Sequence, residues 1–201
     1  MMELTMTQSI TRSDLMSLEQ YAEKRAEFRQ QVIAHKKHRQ IALGPNVTLY
    51  FEDRLTLLYQ IQEMLRIEKI FEAAGIQEEL DAYNPLIPDG NNLKATFMIE
   101  VADEDERRKA LAKLRGIEDE VWMRVAGFDP VFAVADEDME RENEDKTSSV
   151  HFMRFEFSQE MIAAARQGAA LGIGISHADY TRQLEPLPDN IRASLMQDFA
   201  A

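Results

Sequence analysis

Residues 49–75 read LYFEDRLTLLYQIQEMLRIEKIFEAAG, and the fold turns on how this stretch is read. At 3.6 residues per turn, Leu57, Leu58, Ile61, Met64, Leu65 and Phe71 fall along one side of a helix that starts near Asp53. Tyr59, Ile67 and Ile70 fall along the other. A helix that is apolar nearly all round is covered by other elements, so the pattern predicts a central helix over 53–75. Asp53 would cap its start, and Gly75 would take the left-handed cap at its end. Glu68, seven residues after Ile61 and four after Met64, then points into the main apolar face. An unpaired buried carboxylate costs several kcal/mol, so Glu68 must be protonated, paired with an Arg or His, or bound to a metal. Glu63 lies on the opposite side, three residues before Arg66.

Upstream, Ser13 or Asp14 can cap a long helix running to about Leu43, with Leu15, Leu18, Tyr21, Phe28 and Val32 as its apolar stripe. His35 and Arg39 continue that stripe and could supply the counter-charge for Glu68. His35 and His38 are also spaced for chelation from one helix, although KKHR equally reads as a solvated face. Gly44-Pro45-Asn46 breaks the chain, Val47 to Phe51 is a short β-type run, and Glu52 sits at the junction with the central helix. Downstream, Gln77 to Tyr83 reads as further helical turns. The loop Asn84-Pro85-Leu86-Ile87-Pro88-Asp89-Gly90 is stiffened by two prolines, so Asn84 and Asp89 are either ligand contacts or parts of a plain connection.

From Ala95 the period changes to alternation. ATFMIEV, VWMRV, VFAVA and HFMRFEF read as strands, and DEDERRKALAKLRG between the first two reads as a surface helix. His151 opens an inward row with Met153, Phe155 and Phe157. It is either a hydrogen-bonded core histidine or a group able to coordinate or move a proton. DEDMERENED, residues 136–145, holds seven acids and one arginine. It begins like a calcium loop, yet Arg141 stands where glycine is needed and Thr147 where the bidentate glutamate belongs, which excludes an EF-hand. A solvated connection, an acidic helical turn or a weak cation site remain. GAALGIG, residues 168–174, lacks the third glycine and the context of a dinucleotide fingerprint. In SHADY, Ser176, His177 and Asp179 are too close in sequence to form a triad, but His177 is the most exposed candidate for function. The tail from Pro188 to Phe199 reads as a closing helix.

Composition narrows the function classes. The 201 residues suit one domain or two small ones, and the absence of cysteine excludes disulfides, thiolate metal sites and a cysteine nucleophile. No apolar run is long enough to cross a bilayer, and Met1 to Ile10 lacks the pattern of a signal peptide, so a cytoplasmic protein with no membrane partner is expected. A formal net charge of -13 argues against nucleic acid. Lys24, Arg25, Arg29, Lys36, Lys37 and Arg39 form one basic segment that could meet the acidic part of the same chain, an identical subunit or an anionic ligand.

Runs of helix followed by runs of strand predict an α+β fold: long N-terminal helices packed on a mostly antiparallel sheet of about four strands. The expected division is a helical half, 1–90, and a sheet-containing half, 91–201, in one unit. FEDRLTLLYQIQEMLRIEKIF, YNPLIPDG, ATFMIEV, DEDMERENEDKTSSVHFMRFEF and GISHADY together resemble a bacterial family known only as a domain of unknown function. Its members are often encoded beside rubrerythrin and an iron-sulfur oxidoreductase. The resemblance implies a place in redox or peroxide physiology and carries over no catalytic residue. The chain also lacks the Glu-x-x-His pairs of a ferritin-like di-iron site.

Three functions follow, with the question of enzyme or non-enzyme left open. One is an accessory or interaction protein that forms a homo-oligomer and meets a redox partner. Another is a metal-dependent protein or enzyme holding a divalent transition metal such as iron, manganese or zinc, with ligands from Glu52, Glu63, Glu68, His151 and His177. The third is a small-anion or nucleotide binder using Arg66, Arg154 and the loop of Asn84 and Asp89.

Overall fold

Asp53 starts the central helix by a reciprocal cap. Its Oδ1 accepts the Thr56 N–H at 2.9 Å, and Thr56 Oγ1 accepts the Asp53 N–H at 3.0 Å. The structure is a computed structural model that describes residues 9–137, 141 and 145–200. Its helices are α1 (Leu18–Lys36), α2 (Arg54–Glu68), α3 (Ala73–Tyr83), α4 (Glu104–Lys113), α5 (Gln159–Arg166) and α6 (Asp189–Leu195). Its strands are β1 (Gln40–Ala42), β2 (Val47–Glu52), β3 (Asn92–Ile99), β4 (Val121–Val125), β5 (Val131–Phe132), β6 (Val134–Ala135), β7 (Val150–Glu156), β8 (Leu171–His177) and β9 (Tyr180–Leu184). The fold is α+β.

The helix expected over 53–75 is two helices. Lys69, with φ of 54°, takes the left-handed position that ends α2, and the Ile70 N–H returns to the Leu65 carbonyl at 3.0 Å. Gly75 lies inside α3, where a Cβ would come within 2.8 Å of Ile70 Cγ2. Glu68 is therefore the last residue of α2 and is exposed, which corrects the expectation of a buried carboxylate there. The row Leu57, Ile61 and Leu65 is buried with Ile10, Leu80 and Ile87, but the covering layer stops before Glu68. Ile67 and Phe71 are left 57% and 62% exposed. The first helix is also shorter than expected. Ser17 caps α1, which ends at Lys36, and residues 40–42 instead pair with β2.

Two antiparallel sheets stand where one was expected. Their orders are β1-β2-β3-β7-β6 and β5-β4-β8-β9. The run VFAVA belongs to both, because β5 and β6 are separated by Ala133 alone and the chain changes sheet at that corner. Strands from before and after residue 90 share the first sheet. One apolar core joins Leu49, Phe51, Phe97 and Phe155 of the first sheet to Val121, Met123, Ile173 and Ile175 of the second. Gly172 and Gly174 of the GAALGIG run lie in β8. Gly174 sits against the ring of Trp122 and Gly172 against Glu185, so close approach explains both glycines.

A second set of contacts closes the chain on itself. Arg39 is 1% exposed, and its guanidinium donates to the carbonyls of Phe51 at 3.1 Å, Glu52 at 3.1 Å and Ser194 at 3.2 Å. It also pairs with Asp198, and its Nε lies 3.4 Å from Asp53. His35 Nε2 is 2.5 Å from the same Asp53 carboxylate. Burial works to raise the Asp53 carboxyl but is outweighed by His35, Arg39 and the Thr56 N–H, so it sits below its ordinary value. At Asp198 burial wins over Arg39 and pushes the carboxyl up to about 7, and its Oδ1 is buried without a hydrogen bond among the described residues.

Two outcomes follow. Gly174→Ala should lower unfolding free energy by about 1–3 kcal/mol through overlap with Trp122, measured by urea denaturation. Because the folded Asp198 carboxyl binds its proton more tightly than the ordinary value of 3.8, its contribution to stability is full below that pH and lost as pH rises to about 7. Asp198→Asn should remove this decline from the curve of stability against pH. An unchanged curve would show that Asp198 does not titrate in that window.

Candidate functional site

The corner at Ala133 delivers Asp136 to the mouth of the first sheet. Asp136 follows β6 with φ of 54°, an uncommon conformation for a residue with a side chain. It is held there by two bonds to β7: its N–H donates to the Phe152 carbonyl at 2.8 Å, and its Oδ1 accepts the Phe152 N–H at 3.1 Å. The other carboxylate oxygen is thereby aimed at His151, whose Nδ1 is 2.5 Å from Oδ2. His151 is fully buried on the inner face of β7, edge-on to Phe97 with ring centroids 6.0 Å apart.

The opposite ring nitrogen meets a second cluster. His151 Nε2 is 2.9 Å from Thr147 Oγ1, 3.0 Å from the Ser148 carbonyl and 3.9 Å from Glu118 Oε2. Glu118 comes from a 3-10 turn, Ile117–Glu120, that enters β4 after the left-handed Gly116. Its two oxygens lie 3.2 and 3.1 Å from the same Thr147 hydroxyl, and the carboxylate is 6% exposed. Ligand atoms of Glu118, Asp136 and His151 all lie within 4.8 Å of one another. Arg141 pairs with Asp136 Oδ1 at 3.2 Å and lies over the Phe152 ring at 4.8 Å.

The arrangement has the logic of a metal-binding histidine. One ring nitrogen is oriented by a carboxylate, and the other faces oxygen donors. With oxygen and imidazole donors and no sulfur, it suits a hard or borderline divalent cation. Asp136, Thr147 and Glu118 were not singled out as ligands in sequence. Asp136 falls in the acidic run read as a connection, a helical turn or a weak cation site, Thr147 stands where a calcium loop would need its glutamate, and Glu118 carries no signal. The remainder of the acidic run, 138–140 and 142–144, lies outside the described residues.

The five sequence candidates for metal ligation are not gathered at one place. His151 is in this cluster. Glu63 joins α1 to α2, accepting two bonds from Arg25 at 2.7 and 2.9 Å and one from Tyr21 at 2.6 Å. Arg25 above all, with Tyr21 and Arg66, holds its carboxyl down at about 2 against the opposing effect of burial. Glu68 is exposed, and His177 binds the Arg115 carbonyl at 3.0 Å and the Asp179 N–H at 3.2 Å, bracing the β8–β9 hairpin. Glu52 is on the outer face of the first sheet. Of the candidate ligand contacts, Asn84 clasps the backbone of Ile10 in both directions, at 2.7 and 2.9 Å. Asp89 accepts the Asn91 N–H at 3.0 Å within its turn. Arg66 pairs with Glu63 at 3.1 Å, and Arg154 engages Glu137 and Glu156.

Among curated proteins none matches the chain. A crystal structure of a novel protein of unknown function from Burkholderia pseudomallei K96243 is 51% identical, with a TM-score of 0.91, covering 96% of this chain and 100% of that one. No helix among the described residues is long and apolar enough to cross a membrane. Residues 9–199 match the family described as protein of unknown function DUF3501, and the chain belongs to that family.

Proposed function

We propose that the chain is a metal-dependent protein holding one divalent transition metal between His151 Nε2 and the Glu118 carboxylate. The observation that carries this reading is the fully buried His151 imidazole set between two carboxylates, Asp136 on Nδ1 and Glu118 beyond Nε2, with ligand atoms of all three within 4.8 Å of one another. Thr147 Oγ1 is a further oxygen donor, and Asp136 keeps the ring in place through Nδ1. Iron or manganese there would supply one-electron chemistry, in keeping with the redox or peroxide physiology that the family resemblance implies. Zinc would supply a Lewis acid only. No side chain is assigned a catalytic role.

A second reading has its own support. Ile67 and Phe71 are large, apolar and mostly in water at the break between α2 and α3. Lys24, Arg29 and Lys37 are exposed in a chain of net charge -13. An accessory protein that assembles with copies of itself, and through them with a redox partner, would use such a surface. The absence of cysteine fits a cytoplasmic setting.

Elemental analysis of protein purified without chelator is expected to find about one equivalent of iron, manganese or zinc per chain. His151→Ala and Glu118→Gln should lose it, and Asp136→Asn should weaken the affinity by about 10–100-fold. Background metal in the unaltered protein would end this reading. For the second reading, sedimentation velocity should show an oligomer that Phe71→Glu converts to monomer. A chain that is monomeric at every concentration would dismiss it.

A further inference from the structure

The outer face of the first sheet carries a groove of about 330 Å³ whose lining includes Glu52, Pro85, Leu86, Lys94, Phe152 and the ion pair of Arg154 with Glu137. This volume is at the lower end of the range for small-molecule sites, about 300–1,000 Å³. The antiparallel register sets Glu52 opposite Lys94 and Lys94 opposite Arg154. A carboxylate, an ammonium and a guanidinium therefore succeed one another across three strands.

Opposite charges facing each other across a ladder ordinarily close into an ion pair. Here Glu52 and Lys94 are held apart. Glu52, 5% exposed, accepts two hydroxyls among the described residues, from Thr56 Oγ1 at 2.6 Å and Thr96 Oγ1 at 2.9 Å. Lys94 Nζ is drawn to the Pro85 carbonyl at 2.5 Å. Neither meets an opposite charge at ion-pairing distance among the described residues. Arg154 is different, being engaged by Glu137 through two bonds and by Glu156 through a third. Desolvation, with Arg154 adding to it against the pull of Asp89, Glu137 and Glu156, holds the Lys94 ammonium below its ordinary value.

We infer that this groove binds a small zwitterion with an apolar body, an α-amino acid in chemical class, its ammonium on Glu52 and its carboxylate on Lys94. The charge pattern selects against the simpler alternatives. A plain anion would satisfy Lys94 and be repelled by Glu52, and a plain amine would do the reverse. Only a ligand with both charges gives each side chain its partner. Pro85, Leu86 and the Phe152 ring supply apolar contact for the ligand's side chain. The groups that hold the ligand's charges are distinct from those proposed to hold the metal, because Glu52 and Lys94 face outward from the sheet while His151 faces inward, with Asp136 bonded to both His151 and the Phe152 backbone between them.

The test is thermal shift and titration calorimetry of the full chain with L-phenylalanine, L-leucine and L-methionine. The same measurements are made with 3-phenylpropionate and 2-phenylethylamine as singly charged analogues. At least one of the amino acids should raise Tm, and the two analogues at equal concentration should not. Lys94→Met and Glu52→Gln should each weaken binding about ten-fold or more, the loss expected for a hydrogen bond to a charged group. Glu52 is buried, so if its variant does not fold, Lys94→Met at the half-buried position decides. Its metal content should equal that of the unaltered protein, which separates this site from the metal reading. The inference is overturned if no amino acid binds, if 3-phenylpropionate or 2-phenylethylamine binds as tightly, or if Lys94→Met binds undiminished.

Discussion

The buried guanidinium of Arg39 is the constraint on which the arrangement of helices against sheet depends. It lies between the end of α1 and β1, bonds to the last two residues of β2, reaches the cap of α2 at Asp53, and holds the C-terminal turn through Ser194 and Asp198. A buried cation is tolerated only when its donors are matched and its charge is offset. Arg39 meets both demands with three backbone carbonyls and two carboxylates, which lie at distant places in the chain. Those places are thereby fixed relative to one another. His35 adds a second side-chain partner to Asp53, which Asp198 lacks among the described residues. Burial can therefore raise the Asp198 carboxyl while the cluster holds Asp53 low.

With the edge of β2 anchored, the antiparallel ladder β2-β3-β7 sets two chemically distinct faces. Alternation sends Phe51, Phe97 and His151 into the core, while Glu52, Lys94 and Arg154 stay outside. Asp136 reaches across this division. Its Oδ2 meets His151 on the inner side, and its Oδ1 is tied to Phe152 and Arg141 beside the outer groove. The uncommon backbone of Asp136 is understandable on these terms, because two bonds to Phe152, one to His151 and one to Arg141 determine its position and offset the strain.

Much of the sheet was legible because alternation is a local signal: Phe97, Ile99, Val121, Met123, Met153 and Phe155 all lie in the core that their spacing requires. The helical half was less so. Nothing local distinguishes Lys69 from an interior helical residue, and the left-handed turn there goes with a close approach of Ile70, just past the end of α2, to Gly75 inside α3. That single turn moved Glu68 into water. The reasoning about a buried acid applied instead to Asp53 and Asp198, one read as a cap and the other as part of a tail. His151 was legible because it opens an inward row. Glu118 and Thr147 were not, since their meeting depends on a 3-10 turn and a loop brought together by both sheets.

The hydrogen count around His151 is what gives the cation reading its weight. Thr147 has one hydroxyl proton, and both Glu118 oxygens and His151 Nε2 lie within reach of it. If the ring keeps its proton on Nε2, that proton points toward Thr147 and the Ser148 carbonyl, and the hydroxyl proton goes to Glu118. Glu118 then has one hydroxyl donor among the described residues, and a ring protonated on both nitrogens would be its ionic partner at 3.9 Å. If Nε2 is bare, the hydroxyl must choose between ring and carboxylate, and one of them is left without a donor. A divalent cation held there would relieve that competition, because Nε2, Glu118 and Thr147 would each offer it a lone pair and none would need a proton from the others. Asp136 holding Nδ1 from the far side satisfies the buried ring nitrogen and gives the ring the orientation that such a bond would require.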